Sequence, residues 1–523
     1  MTINGRGAKG NGLHRFSGLD GAREGRRCVT YGGSERAEGV RGLCEVRRGQ
    51  DRRRYLGDCT RMAFVVGYGQ GPAGRNATAA RCRRSLVIVM SSGESKDYKY
   101  LILGGGNAAG YAARALVAKG VGKSEAAIVS REEVAPYERP ALSKAFLFAD
   151  PPARLPGFHT CVGGGGDRQE PEWYEDNGVD LILNEEIVSA DLGDKKLTSK
   201  AGTEFGFDKL VIATGCSPIV LSKLEGADLK GIHYLRENAD ALQLYDSLHA
   251  RKGEDVLVIG GGYIGMEVAA AASIVGCKPK LIFPDSHMMS RLFSPSMADK
   301  YESFYKEKGI EFYKNGYRCE GFVGDEDGNL SGVKVSLDGK EEVIPGKACI
   351  VGVGARPNSR LFTDQLEMEL GGIKVDGQFQ SSVKDVYAVG DIAAFPLKIY
   401  DRTTRMEHVA HARQSAAHAV DAMFDDSTPD YDYLPYFYSR VFNLSWQFFG
   451  DSVGEPVVVG DIQPKMSVFW IKDGQVNGVF TESPSAEDTE VMAVIARERP
   501  SVDVAKLSAL TDPDEALKLV AST

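Results

Sequence analysis

The chain carries the stretch KYLILGGGNAAG at residues 99–110. Its first part is a short apolar run, typical of a buried parallel strand. Its second part has the pattern G-x-G-x-x-A and opens a helical pattern. Glycine lets the backbone approach a pyrophosphate, and a helix N-terminus offers free N–H groups and a positive dipole. The stretch therefore predicts a dinucleotide-binding βαβ unit, in which Glu132 follows the next strand and can bind ribose hydroxyls.

The same pattern occurs a second time. Its strand, glycine loop, helix, strand and acidic residue fall at 255–259, 260–265, 266–275, 280–283 and Asp285. One copy can be a structural βα turn that binds nothing, but two complete copies predict two dinucleotides. Asp285 can bind the adenosine ribose of NAD and would repel a 2′-phosphate, an effect that Arg291 could soften. NADH is therefore favoured at the second site, with weaker use of NADPH.

Charge divides the 523-residue chain into a basic leader and an acidic body. Residues 1–90 hold 17 Arg, one Lys and seven acidic residues, a net charge of +11, whereas the remaining residues carry −20. An acidic body argues against a nucleic-acid surface. The five cysteines of the body are far apart, which argues against a disulfide framework or a cysteine zinc site. No apolar run approaches the roughly 20 residues that span a bilayer.

The leader, residues 1–95, is expected to be disordered because it lacks helical or strand periodicity. Its last part, 62–90, has four Arg among Ala, Ser and Thr and no acids, the composition of an organelle transit peptide. It could instead be an extension upstream of a true start at Met62 or Met90, or a functional basic arm. A transit peptide predicts a chloroplast or another organelle, and an extension predicts the cytoplasm.

Two further segments resemble motifs of the FAD/NAD-linked reductases. LVIATG at 210–215 resembles their A-T-G segment, and VYAVGD at 386–391 resembles their second FAD motif. The order of the four signatures makes the first fold the FAD site and the second the NAD(P)H site. We therefore predict an α/β protein with two Rossmann-like domains and a small α+β C-terminal domain. The predicted parts are the leader 1–95, an FAD-binding domain at 96–245 and 370–430, an NAD(P)H-binding domain at 246–369 and a C-terminal domain at 431–523.

The segment after the first βαβ unit, 135–144, contains no cysteine. A protein dithiol is thereby excluded, so electrons must leave the flavin directly. At this point the resemblance becomes specific, because four segments look like monodehydroascorbate reductase of plants and green algae. They are 135–144, 154–163, 407–413 and 432–440. The resemblance extends from about residue 98 to about residue 490 and leaves out the leader.

The resemblance implies a set of ligand-binding residues. The FAD contacts it implies are Gly104, Gly105, Gly106, Asn107, Ala108, Glu132, Arg139, Lys144, Ile187, Arg236, Glu237, Asp391, Val409 and Tyr438. The NADH contacts it implies are Gly260, Gly261, Gly262, Tyr263, Ile264, Gly265, Met266, Glu267, Asp285, Arg291, Arg356, Glu407 and His408. The acid of this family's NAD domain is usually Glu, so the shorter Asp285 is a departure that keeps the charge but reaches less far.

Three residues are expected to take part in catalysis, and two of them to bind the substrate. Arg413, a permanent cation with forked donors, suits the radical anion monodehydroascorbate. Tyr438 would form one wall of the substrate site, and Tyr263 would cover the flavin until NADH arrives. The plain alternatives are a surface Arg413 paired with Glu407 or another acid, and a core Tyr438. The expected reaction is hydride transfer from NADH to FAD, followed by two one-electron transfers that regenerate ascorbate.

Two other functions stay open from the sequence. A ferredoxin or putidaredoxin reductase shares the architecture but needs a surface for an acidic iron–sulfur protein, which an acidic body disfavours. A protein like apoptosis-inducing factor would use NADH to switch dimerisation. No metal site is expected, because the pair His408 and His411 has no suitably placed third ligand; packing against flavin or nicotinamide is favoured for both. We further expect a monomer or weak homo-oligomer without nucleic-acid or membrane partners.

Overall fold

A computed structural model describes residues 95–161 and 166–523. The predicted leader lies outside these residues except for Ser95, where the first strand begins. Elements up to residue 218 are β1 Ser95–Leu103, α1 Asn107–Ala118, β2 Ala126–Val129, α2 Ala145–Phe148, α3 Pro171–Asp176, β3 Val179–Ile182, β4 Ile187–Asp191, β5 Lys196–Ser199, β6 Glu204–Ile212 and β7 Cys216–Pro218. Next come β8 Ile232–His233, α4 Asn238–His249, β9 Asp255–Ile259, α5 Tyr263–Val275, β10 Lys278–Ile282, α6 Pro295–Glu307, β11 Glu311–Tyr313, β12 Arg318–Gly324, β13 Leu330–Leu337, β14 Lys340–Pro345, β15 Cys349–Val351 and β16 Ala355–Pro357.

The chain then forms β17 Met368–Glu369, β18 Gly372–Lys374, β19 Val386–Ala388, β20 Ala393–Leu397, β21 Arg402–Thr404 and α7 Val409–Phe424. The last part consists of β22 Tyr436–Val441, β23 Leu444–Gly450, β24 Glu455–Gly460, β25 Met466–Lys472, β26 Gln475–Glu482, α8 Ala486–Glu498, α9 Val504–Ser508 and α10 Pro513–Ala521. In the part of the chain that the structure describes, no helix combines the length and apolarity that a bilayer crossing needs.

The first sheet has the order β3-β2-β1-β6-β5-β4, with β19 beside the second half of β6, the antiparallel β5 beside its first half and β4 paired with β5. β1, β2, β3 and β19 all run parallel to their neighbours in this sheet. The four residues of β2 are buried, as expected for a strand covered on both faces. Because β19 comes from residues 386–388, the first sheet is built from two separate parts of the chain.

The second sheet is parallel, with the order β11-β10-β9-β15-β8. The sheet includes β8, and α4 packs against α2, α5 and β8. The boundary predicted at residue 246 would separate β8 and most of α4 from this sheet, which the hydrogen bonding does not do. A two-residue strand is too short to be recognised by its pattern.

The third sheet is antiparallel, in the order β22-β23-β26-β25-β24. Trp446 and Phe480 from one of its faces share a hydrophobic core with α5 and α6 of the second domain. Its other face packs on α8 and α10. The predicted α+β domain is therefore present, and its inner face rests mainly on the second domain, because the apolar sides of α5 and α6 face it. β22 contacts both α5 and α7, which places it between the two nucleotide-binding domains.

Candidate active site

A cleft of about 1740 Å³ runs between the two parallel sheets and reaches β22. It exceeds the roughly 300–1,000 Å³ of a typical small-molecule pocket, so it has room for more than one ligand. Both glycine loops line it. The predicted site residues that line it are Gly104, Gly105, Gly106, Asn107, Ala108, Glu132, Arg139, Lys144, Ile187, Arg236, Glu237, Gly260, Gly261, Gly262, Tyr263, Ile264, Glu267, Asp285, Arg291, Asp391, Glu407, His408, Val409 and Tyr438.

The first glycine loop needs glycine for close packing. Gly104 has a φ of +132°, and a Cβ there would overlap the carbonyl of Ala213 at the end of β6. A Cβ on Gly105 would overlap the Ser130 hydroxyl. α1 begins directly after Gly106 with no side chain capping its N–H groups. This helix start therefore presents free donors and positive dipole to the cleft.

The second glycine loop repeats this arrangement. Gly260 has a φ of +115°, and a Cβ there would overlap the carbonyl of Gly352, which follows β15. α5 begins after Gly262, again with no side-chain cap. Two predicted contact residues, Gly265 and Met266, are buried in α5 behind the loop and do not line the cleft. Gly265 instead lets the helix approach the carbonyl of Gly260.

Charged residues stand in pairs along the first half of the cleft. Glu132 forms an ion pair with Arg139 and accepts a hydrogen bond of 2.6 Å from the Tyr137 hydroxyl. Arg139 also donates to the carbonyl of Arg236 at 2.7 Å. The Arg236 guanidinium lies 2.9 Å from the Asp391 carboxylate. Residues far apart in sequence are thus held at one wall, with acids and bases alternating.

A buried carboxylate joins the two nucleotide-binding domains to the third sheet. Glu267, 6% exposed, lies 2.7 Å from the Lys144 ammonium and accepts hydrogen bonds from Ser143 and, at 2.6 Å, Ser439. Lys144 and Ser143 belong to the first domain, Glu267 to α5 and Ser439 to β22. A buried charge needs such partners, because removing either ion from water is costly. This network fixes the mutual position of the three parts at the centre of the cleft.

The predicted substrate pair lies at the end of the cleft beside β22. Arg413, on α7, forms an ion pair of 2.8 Å with Glu138 and lies over the ring of Tyr111 at 5.6 Å. It is half-buried and does not itself line the cleft, whereas Tyr438 does. Burial raises the pKa of the Tyr438 hydroxyl, and the positive charge of Arg413 opposes this rise. The hydroxyl thus stays protonated near neutral pH, close to a fixed cation.

Glu407 is paired with a different cation. The Arg405 guanidinium lies 2.7 Å from Glu407 and donates to the Asp391 carbonyl at 2.9 Å. The same guanidinium is 3.3 Å from the Cys216 sulfur, and burial raises the pKa of that thiol to about 12. Cys216 is therefore a protonated thiol at the cleft wall rather than a nucleophile.

The two histidines of 408–411 have different surroundings. His408 lines the cleft and lies 4.6 Å from the ring of Phe437; burial lowers its pKa to about 4. His411 is fully buried and stacks on Phe395, with the ring centres 4.4 Å apart. It therefore packs in the core, and the expectation that it would pack against a flavin or nicotinamide in the cleft is wrong. Among the described residues, no three His, Cys, Asp or Glu side chains are grouped as metal ligands.

The adenosine-side residues of the second site are exposed. Asp285 and Arg291 both line the cleft beyond the second glycine loop. Arg356 is exposed on β16 and is not part of the lining, which includes Arg360 instead. The structure thus brings Asp285 and Arg291 to the site and leaves Arg356 outside it.

Comparison with known proteins identifies the family. The model of the pyridine nucleotide-disulphide oxidoreductases matches residues 98–416, and that of the monodehydroascorbate reductase 3-like C-terminal domain matches 434–513. The chloroplastic/mitochondrial monodehydroascorbate reductase of Arabidopsis thaliana is 46% identical, over 83% of this chain and 89% of its own length. The chain belongs to the monodehydroascorbate reductase family. A cytosolic member from Oryza sativa subsp. japonica is 49% identical, over 78% of this chain and 95% of its own.

Membership of the monodehydroascorbate reductases makes the chain an FAD- and NAD-linked oxidoreductase. A ferredoxin reductase of Rhodopseudomonas palustris has the same fold, with a TM-score of 0.71 over 81% of this chain and all of its own. Its sequence identity is only 26%. The fold is thus shared with the ferredoxin reductases, whereas sequence identity and the C-terminal domain favour the monodehydroascorbate reductases.

The glycine loops of this monodehydroascorbate reductase family member fit the two dinucleotides. Both long helices start at the cleft without a side-chain cap. Apart from its own chain neighbours, no atom of the described residues lies within 4 Å of a Cβ built on Gly262. The Oδ1 atom of Asn107 is buried without a partner at the first loop. Free donors, open space beside the backbone and an unsatisfied acceptor are what a bound pyrophosphate and its sugar would use.

Two residues of the site, Glu138 and Arg405, were not predicted from the sequence. Glu138, which holds Arg413, lies within the quoted segment 135–144, but nothing in the local pattern joins it to α7. Arg405, which holds Glu407, stands two residues before it in sequence. Its i, i+2 spacing beside an acid is a signal that could have identified the pair, because on β-like backbone such residues share a face.

Proposed function

We propose that this protein reduces monodehydroascorbate to ascorbate at the expense of NADH, with FAD held in the first half of the cleft. The observation that supports this is one continuous cleft with two uncapped helix starts and, at its end beside β22, the half-buried Tyr438, with Arg413 near it but outside the lining. FAD, when bound, would accept a hydride from NADH and release its two electrons one at a time. The residues of this chain bind, orient and shield the reacting groups.

The two glycine loops are assigned to the two pyrophosphates. The N–H groups at the start of α1 would hold FAD, with Glu132 directed at its ribose and Arg139 neutralising charge beside it. The start of α5 would hold NADH, with Asp285 accepting hydrogen bonds from the adenosine ribose. Each negative pyrophosphate thereby meets free donors and the positive end of a helix dipole.

The substrate corner combines a fixed positive charge and a hydroxyl. Arg413 would attract the radical anion, and its forked N–H groups suit neighbouring oxygens. Tyr438 would offer a ring face and a protonated hydroxyl, since burial raises its pKa. The acidic body would repel an anion at long range, so this local cation is what makes the corner acceptable to the substrate.

Tyr263 would form the wall that excludes water from the centre of the cleft. Its ring packs edge-on against Phe437 at 5.2 Å and lies 6.1 Å from Trp446. Both contacts come from the third sheet, so the ring is held where α5 begins. We assign Tyr263 the role of a cover that moves aside when the nicotinamide ring enters.

The test is stopped-flow mixing of the FAD-containing protein, first with NADH and then with monodehydroascorbate. NADH should bleach the FAD absorbance, and the radical should restore it much faster than oxygen does. Arg413→Ala should slow only the second step, by about tenfold or more, since a hydrogen bond between charged groups contributes about 1.5–3 kcal/mol. Arg440→Ala removes an exposed arginine from the same strand as Tyr438 and should change neither step. Recovery no faster than with oxygen would refute the function.

The compartment is a separate proposal. The arginine-rich, acid-poor composition of 62–90 supports import into an organelle, and relatives are named for both organelles and cytosol. The N-terminal sequence of the protein purified from its natural source tests this. A start downstream of residue 62 at a residue other than Met90 would support cleavage of a transit peptide, and an N-terminus at Met1, Met62 or Met90 would contradict it.

A further inference from the structure

Glu138 stands at the centre of a hydrogen-bond network that no part of the proposed mechanism uses. Its carboxylate is 7% exposed. One oxygen, Oε2, accepts from the Asn107 amide at 2.9 Å and from Arg413 at 2.8 Å. The other, Oε1, is 3.4 Å from the Tyr111 hydroxyl. The network connects the first residue of α1, at the glycine loop, with the arginine of the substrate corner.

The position of Arg413 depends on this carboxylate. Of its nitrogen atoms, Nη2 donates to Glu138, while Nε is buried and has no hydrogen-bond partner within residues 95–161 and 166–523. The ring of Tyr111 lies under the guanidinium, at 5.6 Å from its centre. A guanidinium bound to a carboxylate at one edge and supported by a ring on one face has a defined plane.

We infer that Glu138 is a positioning residue that orients Arg413 for an anionic, oxygen-rich substrate. This inference rests on the proposed function. The role is geometric: the Oε2 atom of Glu138 holds the Arg413 guanidinium in a fixed position relative to Tyr438. It is not a matter of charge, because a negative group beside Arg413 weakens the attraction for an anion.

Two conservative variants separate geometry from charge. Glu138→Gln removes the charge but keeps an oxygen at the Oε2 position, and its amide can donate to the Tyr111 hydroxyl. Glu138→Asp keeps the charge but is one methylene shorter, so it no longer reaches Arg413. If position matters, Glu138→Asp should raise the KM for monodehydroascorbate about tenfold, and Glu138→Gln should stay within about threefold of wild type.

The measurements combine turnover with binding. Steady-state kinetics with the radical give KM, calorimetric titration with ascorbate gives Kd, and reduction of FAD by NADH should be equal in all variants. The double variant Glu138→Asp with Arg413→Ala should bind ascorbate no more weakly than Arg413→Ala alone, since Glu138 acts through Arg413. Asp488→Asn, which breaks a half-buried ion pair of 2.6 Å with Lys465 outside the cleft, is the control and should leave KM and Kd unchanged.

The outcomes distinguish the two levels of the argument. A wild-type protein that neither turns over the radical nor binds ascorbate would overturn the proposed function and this role with it. If the wild type does both, equal Kd values for Glu138→Asp and Glu138→Gln, or additive losses in the double variant, would overturn the role of Glu138 alone. Loss of FAD or of thermal stability in Glu138→Asp without a change in KM would assign the residue a purely structural role.

Discussion

His411 should make the protein sensitive to mild acid. Its side chain is fully buried on α7, stacked on Phe395 with the two rings 13° from parallel. Its Nε2 atom has no hydrogen-bond partner among the described residues. Burial lowers the pKa of His411 to about 3, because the charged imidazolium cannot be solvated there.

The size of the effect follows from this pKa. An unfolded chain takes up the proton near pH 6.5, whereas the folded chain takes it up only near pH 3. As the pH falls through this window, the free energy of unfolding decreases by about 1.4 kcal/mol per pH unit. At pH 5 the loss from this one residue is about 2 kcal/mol. The contribution is fully present above pH 6.5.

His411→Phe keeps the stack on Phe395 and removes the titrating group. Urea unfolding of the FAD-containing protein at pH 7.5 and pH 5 gives the free energy of unfolding for each variant. The decrease between the two pH values should be about 2 kcal/mol smaller for His411→Phe than for wild type.

Tyr431→Phe removes the hydroxyl 3.5 Å from the imidazole without adding or removing an acid-titrating group. It should lose the same free energy between pH 7.5 and pH 5 as wild type. Equal decreases for wild type and His411→Phe would refute the reasoning, because they would mean that His411 is protonated equally in the folded and unfolded states.

Three further changes test other parts of the cleft. Gly262→Ala adds a Cβ that meets no atom of the described residues within 4 Å beyond its chain neighbours. It should preserve FAD content but raise the KM for NADH about tenfold in steady-state assays, since the Cβ occupies space assigned to the pyrophosphate. Gly105→Ala, whose Cβ overlaps the Ser130 side chain, should instead lower FAD content. Lys144→Met leaves buried Glu267 without its cation and should lower the free energy of unfolding by about 3 kcal/mol, seen in urea titrations. Asp285→Ser removes the carboxylate that repels a 2′-phosphate and should raise the NADPH to NADH ratio of kcat/KM about tenfold, with an unchanged ratio contradicting its role.

Local sequence patterns predicted the nucleotide-binding units well. Both glycine loops lie between a buried strand and a helix, as predicted, and the helices begin at Asn107 and Tyr263. The predicted α+β character of the C-terminal part is present as the sheet β22–β26 and the helices α8–α10. These features follow from residue type at short spacing, because glycine conformation and the periods of strand and helix are local properties.

Long-range packing decided the rest of the site. The expected contact of His411 with a cofactor is absent, because α7 turns that side chain towards Phe395 in the core. β8 joins the second sheet through hydrogen bonds to β15, far along the chain, so the boundary at residue 246 was misplaced relative to the sheet. Neither outcome is encoded in a window of neighbouring residues.

By itself the sequence determined that there are two dinucleotide folds, their order, and the absence of a cysteine pair beside the first. Only the tertiary structure decided which residues share a wall: Glu138 with Arg413, and Glu267 with Lys144 and Ser439. The physical reason is that glycine loops are specified by backbone sterics over a few residues. A buried ion pair depends instead on which sheets and helices meet, and that is set by the apolar faces of all the domains together.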